Sequence, residues 1–245
     1  MCGIIAAASE RNVGKLLVQG LHKMEYRGYD SAGIALHQND QIAHLRTLGK
    51  VRLLEEKMIS EKPKSKLGIA HTRWATHGEP SEENAHPHKS NERIYIVHNG
   101  IIENYIELKN YLKKEGYIFT SQTDSELIAH MLEHFLNKGN TMIDSMYLTK
   151  EKLEGAYAIA AIDREDSSNI MIARNKSPLL IGLGVDEILA ASDPLAIGQL
   201  TNEFIFLEDG DVAEISAKSF KIYDDTKKEI AVSYTHLTLP TIVGV

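Results

Sequence analysis

The 245-residue chain has one cysteine, Cys2, so it cannot form an internal disulfide. That excludes the disulfide-stapled scaffolds of small secreted domains and suits a reducing compartment. No apolar run approaches the roughly 20 residues of a membrane-spanning helix. The opening apolar stretch, 2–8, is too short for a signal peptide, and no Lys or Arg precedes it. Glycine stands third, not second, so the myristoylation pattern is missing. Positive charge is also short: 27 Lys and Arg against 34 Asp and Glu give a net charge of −7. Nothing in that balance favours nucleic acid or an anionic membrane as a partner. No internal repeat, low-complexity block or Gly-rich phosphate loop is present. The expectation is a cytoplasmic protein.

What is present is 43% hydrophobic residues, enough for a substantial core. Positions 3–8 predict a short buried strand. Positions 13–26 carry Leu16, Leu17, Leu21 and Met24 at helical spacing. Strands follow over 31–38, 41–49 and 65–75, with a turn at Asn39-Asp40. The stretch 92–100 predicts another strand closed by a turn. Helices follow over 105–114 and 126–138, ending near Gly116 and Gly139. Further strands are predicted over 156–165, 169–178, 179–185 and 203–216. Helices arrive in pairs between runs of strands, which favours an α+β fold of stacked antiparallel sheets with helices outside. Residues 232–245 contain no Asp, Glu, Lys or Arg, yet follow a charged stretch. They are expected to be a linker or a non-native tail, with the domain proper at 1–231.

Position gives Cys2 a possible role. Methionine before a small residue is normally removed, so the mature chain would begin with cysteine. Its free α-amine, with an ordinary pKa of about 7.7–8.0, can serve as base for the thiol on the same residue. The alternative is a small buried apolar residue. The following GIIAAA would let the nucleophile head a buried strand.

Four further stretches carry chemistry. HTRWATHG, 71–78, gathers a guanidinium, an indole, a hydroxyl and two imidazoles at a strand end. In IVHNG, 96–100, an amide followed by a glycine N–H can form a two-donor oxyanion hole, or simply a hairpin turn. In TSQTDSE, 120–126, Asp124 could bind a cation or cap a helix. In EYRGYDSAG, 25–33, Arg27 and Asp30 could form an ordinary surface ion pair.

In this order, these stretches resemble the glutaminase domain of the glutamine–fructose-6-phosphate amidotransferases, a branch of the class II, N-terminal-nucleophile glutamine amidotransferases. The resemblance covers about residues 2–225. It implies a four-layer αββα sandwich, the N-terminal nucleophile hydrolase fold. It implies that Cys2 is the nucleophile with its own amine as base, that Asn99 and the Gly100 N–H form the oxyanion hole, and that Arg27 lies in support. L-glutamine would be held by Arg73 at its α-carboxylate and by Asp124 at its α-ammonium. Thr76 and the backbone of His77 would help hold that end, and Trp74 belongs to a loop that closes over it. No cofactor and no metal are implied. Family enzymes are much longer, so fructose 6-phosphate would be met only through C-terminal domains this sequence does not contain, and the chain alone would release ammonia.

Two rival readings stand beside this one. His71, His77, His86, His88 and His98 crowd the middle of the chain, but no cysteine accompanies them and HMLEH, 130–134, is not the zinc-protease pattern. A non-catalytic glutamine-binding regulatory module would share the fold but has no need of the thiol.

Overall fold

A computed structural model describes residues 2–74 and 78–231, and the backbone of Thr235–His236. Its elements are β1 (Gly3–Ser9), α1 (Gly14–Met24), β2 (Ser31–Gln38), β3 (Gln41–Leu48), α2 (Val51–Glu61), β4 (Leu67–Arg73), β5 (His88–Ser90) and β6 (Ile94–Ile102). Three helices follow, α3 (Tyr105–Lys114), α4 (Glu126–Asn137) and α5 (Met142–Lys150). The chain continues with β7 (Gly155–Asp163), β8 (Ile170–Asn175), β9 (Leu180–Gly184), β10 (Glu187–Ala191), β11 (Glu203–Phe206), β12 (Val212–Ile215), β13 (Phe220–Tyr223) and β14 (Thr235–His236).

The strands form two sheets. The larger runs β14-β11-β9-β10-β1-β4-β2-β3 and the smaller β13-β12-β8-β7-β6-β5. Side chains on a strand alternate between faces, and here both faces are covered. On β1, Ile4, Ala6 and Ala8 enter a core shared with Val97, Ala158, Ala160 and Ile172 of the smaller sheet. Ile5 and Ala7 point the other way, against Leu17, Leu21 and Met24 of α1. On β7 the same alternation sends Ala158 and Ala160 inward, and Ile159 and Ala161 toward Leu127, Met131 and Leu132 of α4. A strand buried on both faces needs a continuous apolar run, which is why GIIAAA and AIAAI lack polar alternation. The result is the four-layer αββα sandwich, with α1 and α2 on one side and α3–α5 on the other. Among the described residues, no helix is long and apolar enough to cross a membrane.

Several boundaries differ from the sequence expectations. The first helix stops at Met24, and Glu25–Arg27 form a separate 3-10 turn. The stretch 203–216 is two strands, not one: a turn after Phe206 carries the chain from the larger sheet to the smaller. The expected turn closing 92–100 is absent, because β6 continues to Ile102 against β7. α2, α5, β5, β10 and β13 are elements that the sequence patterns above do not predict. Residues 232–234 and 237–245 lie outside the described residues, while Thr235 and His236 pair with Phe204 and Glu203 at a sheet edge.

Candidate active site

Cys2 is held at the centre of the larger sheet. Gly3 pairs with Thr72 on β4, and Ile5 pairs with both Ala70 and Ala191. The β10 side reaches one residue further: the Ile4 N–H donates to Ser192 Oγ at 3.0 Å, and its carbonyl accepts from the Ser192 N–H at 3.0 Å. This answers the fraying expected of a terminus. The Cys2 thiol is half-buried and engages one backbone unit. Sγ accepts from the Trp74 N–H at 3.2 Å, and the thiol faces the Trp74 carbonyl at 3.6 Å. Burial pushes the thiol pKa up, and Asp30 adds to the rise; the Trp74 N–H and the Arg73 charge pull it back.

Asn99 and Gly100 lie side by side inside β6, opposite Ala158 and Tyr157. They are not a hairpin turn. Asn99 Nδ2 donates to the Cys2 carbonyl at 3.1 Å, and Asn99 Oδ1 is 2.9 Å from His71 Nε2. Gly100 has φ +135°, and a Cβ there would overlap the Ala156 carbonyl oxygen. Only glycine lets β6 run against β7 at this point.

Arg73, at the end of β4, is 4% exposed. Its guanidinium lies 3.4 and 3.5 Å from the carbonyls of Gly78 and Glu79. Burial lowers its pKa, while the charges of Cys2, Asp30 and Asp124 support its protonated form. Asp124 is 5% exposed and does not cap the helix that follows. Its Oδ2 accepts from the Ile102 N–H at 2.8 Å, so the carboxylate leans on the end of the strand that carries Asn99. A cation and an anion acting on the neighbourhood of one thiol can receive the two ends of a free amino acid. A guanidinium fork suits the carboxylate and a carboxylate suits the ammonium.

Arg27 pairs with Asp193, not with Asp30. Tyr26 OH donates to the same carboxylate at 2.8 Å, and Arg27 Nε donates to Tyr26 OH at 3.0 Å. Gly28 follows because a Cβ there would come within 2.7 Å of the Arg73 carbonyl carbon. The 3-10 turn is thereby pressed against the backbone that contacts Cys2. The exposed Trp74 indole meets Tyr29 edge-on, with ring centroids 5.6 Å apart. Thr76 and His77 lie outside the described residues.

Sequence reasoning missed several supports. Asn84 and Gln122 tie the segment after Arg73 to the segment before Asp124. Asn84 Nδ2 donates to the Glu79 carbonyl at 2.9 Å, and the Gln122 N–H donates to Asn84 Oδ1 at 2.8 Å. Behind Asn99 lies a buried histidine wall. His71 stacks on His86 at 4.1 Å, and His86 meets His88 edge-on at 4.5 Å. His98 Nδ1 is 2.8 Å from Ser125 Oγ, and His88 Nε2 is 3.0 Å from Thr123 Oγ1. Burial pushes His71 down to about 3, holds His86 and His88 well below the ordinary value, and lowers His98. At neutral pH the wall is uncharged. Among the described residues, no group of three or more His, Cys, Asp and Glu is arranged to hold a metal ion. The crowding in the sequence is the trace of this wall; the positions alone did not show which ring would touch Asn99.

The sandwich, the strand-borne cysteine and the amide beside it define the class: the chain belongs to the family of glutamine amidotransferase domains, whose model matches residues 71–199. Within that class it is 49% identical, over 231 residues, to a glutamine–fructose-6-phosphate aminotransferase (isomerizing) of Vibrio parahaemolyticus, with 94% of this chain and 38% of the relative covered. The enzyme of the same name from Haemophilus influenzae is 50% identical over 226 residues, with 91% and 37% covered. The chain thus spans well under half the length of these relatives. Among solved structures, the glutamine phosphoribosylpyrophosphate amidotransferase of B. subtilis aligns with a TM-score of 0.79 at 25% identity, covering 91% of this chain and 49% of that one.

Proposed function

We propose that this chain hydrolyses glutamine to glutamate and ammonia through a γ-glutamyl thioester on Cys2. We propose further that it is the glutamine-hydrolysing part, at 1–231, of a cytoplasmic glutamine–fructose-6-phosphate aminotransferase. The observation that carries the reading is the contact between the Asn99 amide and Cys2 itself. It brings an N–H donor to the residue that bears the thiol, one position before the Gly100 N–H.

In this mechanism the α-amine of a mature N-terminal Cys2 takes the thiol proton. The sulfur then attacks the side-chain amide carbon of glutamine. Asn99 Nδ2 and the Gly100 N–H stabilise the oxyanion as preorganised donors. The C–N bond breaks as the protonated amine gives its proton to the leaving ammonia. Water, activated by the same amine, cleaves the thioester to glutamate and restores the thiol. Arg73 and Asp124 hold the amino-acid end, Thr76 and the backbone of His77 assist, and Trp74 covers the substrate. Arg27 acts in support, bracing the turn beneath the site through Asp193. The thiol, raised by burial, suits this scheme: a neutral thiol with a base on its own residue needs no standing thiolate.

The test is Cys2→Ala. It is expected to fold and to release no ammonia from glutamine, while a thiol-directed glutamine analogue labels the unaltered protein once, at Cys2. Undiminished hydrolysis in the variant sinks the mechanism. Intact-mass analysis of active protein is expected to find Met1 absent; active protein that retains it would rule out the amine as base. Ammonia release by this chain is expected to be indifferent to fructose 6-phosphate. Stimulation would place a sugar site within these residues.

A further inference from the structure

An amide side chain has two ends of nearly equal shape, and its use as an oxyanion donor depends on which end faces the reacting carbon. The Cys2 carbonyl can only accept, so the end of Asn99 that lies 3.1 Å from it is Nδ2. The other end, Oδ1, can only accept, so His71 Nε2, 2.9 Å away, carries its ring proton there. The other ring nitrogen, Nδ1, is buried with no hydrogen-bond partner among the described residues, so nothing there favours the alternative tautomer with the proton on Nδ1. That tautomer would leave two acceptors facing each other at Nε2 and Oδ1, or force the amide to turn and set Oδ1 against the Cys2 carbonyl oxygen, again two acceptors.

The ring is well placed to decide the matter. His71 is 1% exposed, sits on β4 opposite Ile4 and Gly33, and is backed by the stacked ring of His86. It belongs to the larger sheet and Asn99 to the smaller, so their hydrogen bond ties the sheets together directly behind the nucleophile.

We propose that His71 is a positioning residue: its Nε2–H holds the Asn99 amide in the one orientation that presents Nδ2 to the developing oxyanion. The proposal rests on the glutaminase reading above. His71 touches neither substrate nor thiol in this role; it acts through Asn99 alone.

Steady-state kinetics of glutamine hydrolysis by the full chain test it with His71→Leu, His71→Asn and His71→Gln, each also in an Asn99→Ala background. Removing an oxyanion donor costs about 100- to 1,000-fold in kcat. Loss of its anchor is expected to cost a part of that, on the order of tenfold, with KM for glutamine changed by less than about twofold. Glutamine at position 71 reaches as far as the imidazole Nε2 and restores the donor; asparagine, which is shorter, does not. His71→Gln is therefore expected to recover most of kcat, and His71→Asn to behave like His71→Leu. Should the leucine variant fail to fold, the Gln–Asn contrast carries the test, since the two share polarity and differ in reach. In the Asn99→Ala background, the position-71 changes are expected to have no further effect on kcat, as befits residues acting as one unit.

Losses that multiply in the double variants, a change confined to KM, or equal activity of the Gln and Asn variants would overturn the proposal. If Asn99→Ala by itself leaves kcat unchanged, the oxyanion assignment falls first, and this inference falls with it. If instead Asn99→Ala is severe and the position-71 variants are neutral, only the positioning role is lost.

Discussion

Replacing Asp124 separates binding from folding at one position. The carboxylate is nearly buried and already accepts the Ile102 N–H at 2.8 Å. Asp124→Asn keeps an oxygen for that N–H and removes only the charge. Removing one partner of a desolvated charge pair costs roughly 2–5 kcal/mol. At 1.36 kcal/mol per decade, a loss of about 2–5 kcal/mol raises KM for glutamine about 30- to 5,000-fold. The thiol and oxyanion donors are untouched, so kcat should move far less. Asp124→Ala adds a second loss, because the buried Ile102 N–H is left unpaired at a cost of about 1–3 kcal/mol of stability. The assay is glutamate release across a glutamine titration, paired with urea denaturation of both variants. The signature is a shared rise in KM, with a lower unfolding free energy in the alanine variant only. An unchanged KM in Asp124→Asn would refute the assignment of this carboxylate to the α-ammonium.

Two further outcomes follow from the geometry. The histidine wall makes the fold sensitive to acid. Its four rings stay neutral when folded, with His71 pushed down to about 3, whereas an unfolded histidine titrates near 6.5. Their contribution is intact above about pH 6.5 and is lost as pH falls from there toward the folded values, because the unfolded state takes up protons that the fold refuses. The slope approaches about 1.4 kcal/mol per pH unit for a ring held far below its ordinary value, as His71 is, and urea midpoints that stay level from about pH 7.5 to 5 would contradict it. Gly100→Ala places a side chain at φ +135° against the Ala156 carbonyl and should cost on the order of 2–3 kcal/mol in urea denaturation; stability equal to the unaltered protein would show that β6 can move aside.

The sequence showed the chemistry more readily than the packing. Arg73, Asn99 and Asp124 stood out because polar groups at or near the ends of apolar runs have few structural excuses. Their neighbours were harder to find. His71 lies inside a strand, and its use depends on a sheet that arrives later in the chain. Asp193 became the partner of Arg27 only because the end of β10 sits beside the turn at 25–27. The Asn99-Gly100 pair has strong turn propensity, but nine residues of pairing with β7 override it. α2 went unread because it buries only Val51 and Leu54, too few for a stripe. α5 carries Thr141 as a side-chain cap, but its apolar residues do not fall on one face. The break between β11 and β12 is marked by EDGD, 208–211, with Gly210 at φ +95°, a turn signal that the single-strand expectation runs through; only the topology assigns the two strands to different sheets.

The pairing of β1 also sets a schedule. Its partners are β4, some 65 residues on, and β10, whose last paired residue is Ala191. At about 5–20 residues per second, a ribosome needs roughly 10–40 s to reach that point. Until then the strand that opens the chain has no neighbour on one side, and the site cannot close around its first residue. The amino-terminal strand is thus open on its β10 side through the synthesis of most of the domain, and its place in the sheet is complete only when β10 arrives. For a protein whose proposed base is created by cutting one peptide bond, late completion of the first strand's pairing gives that cut more time.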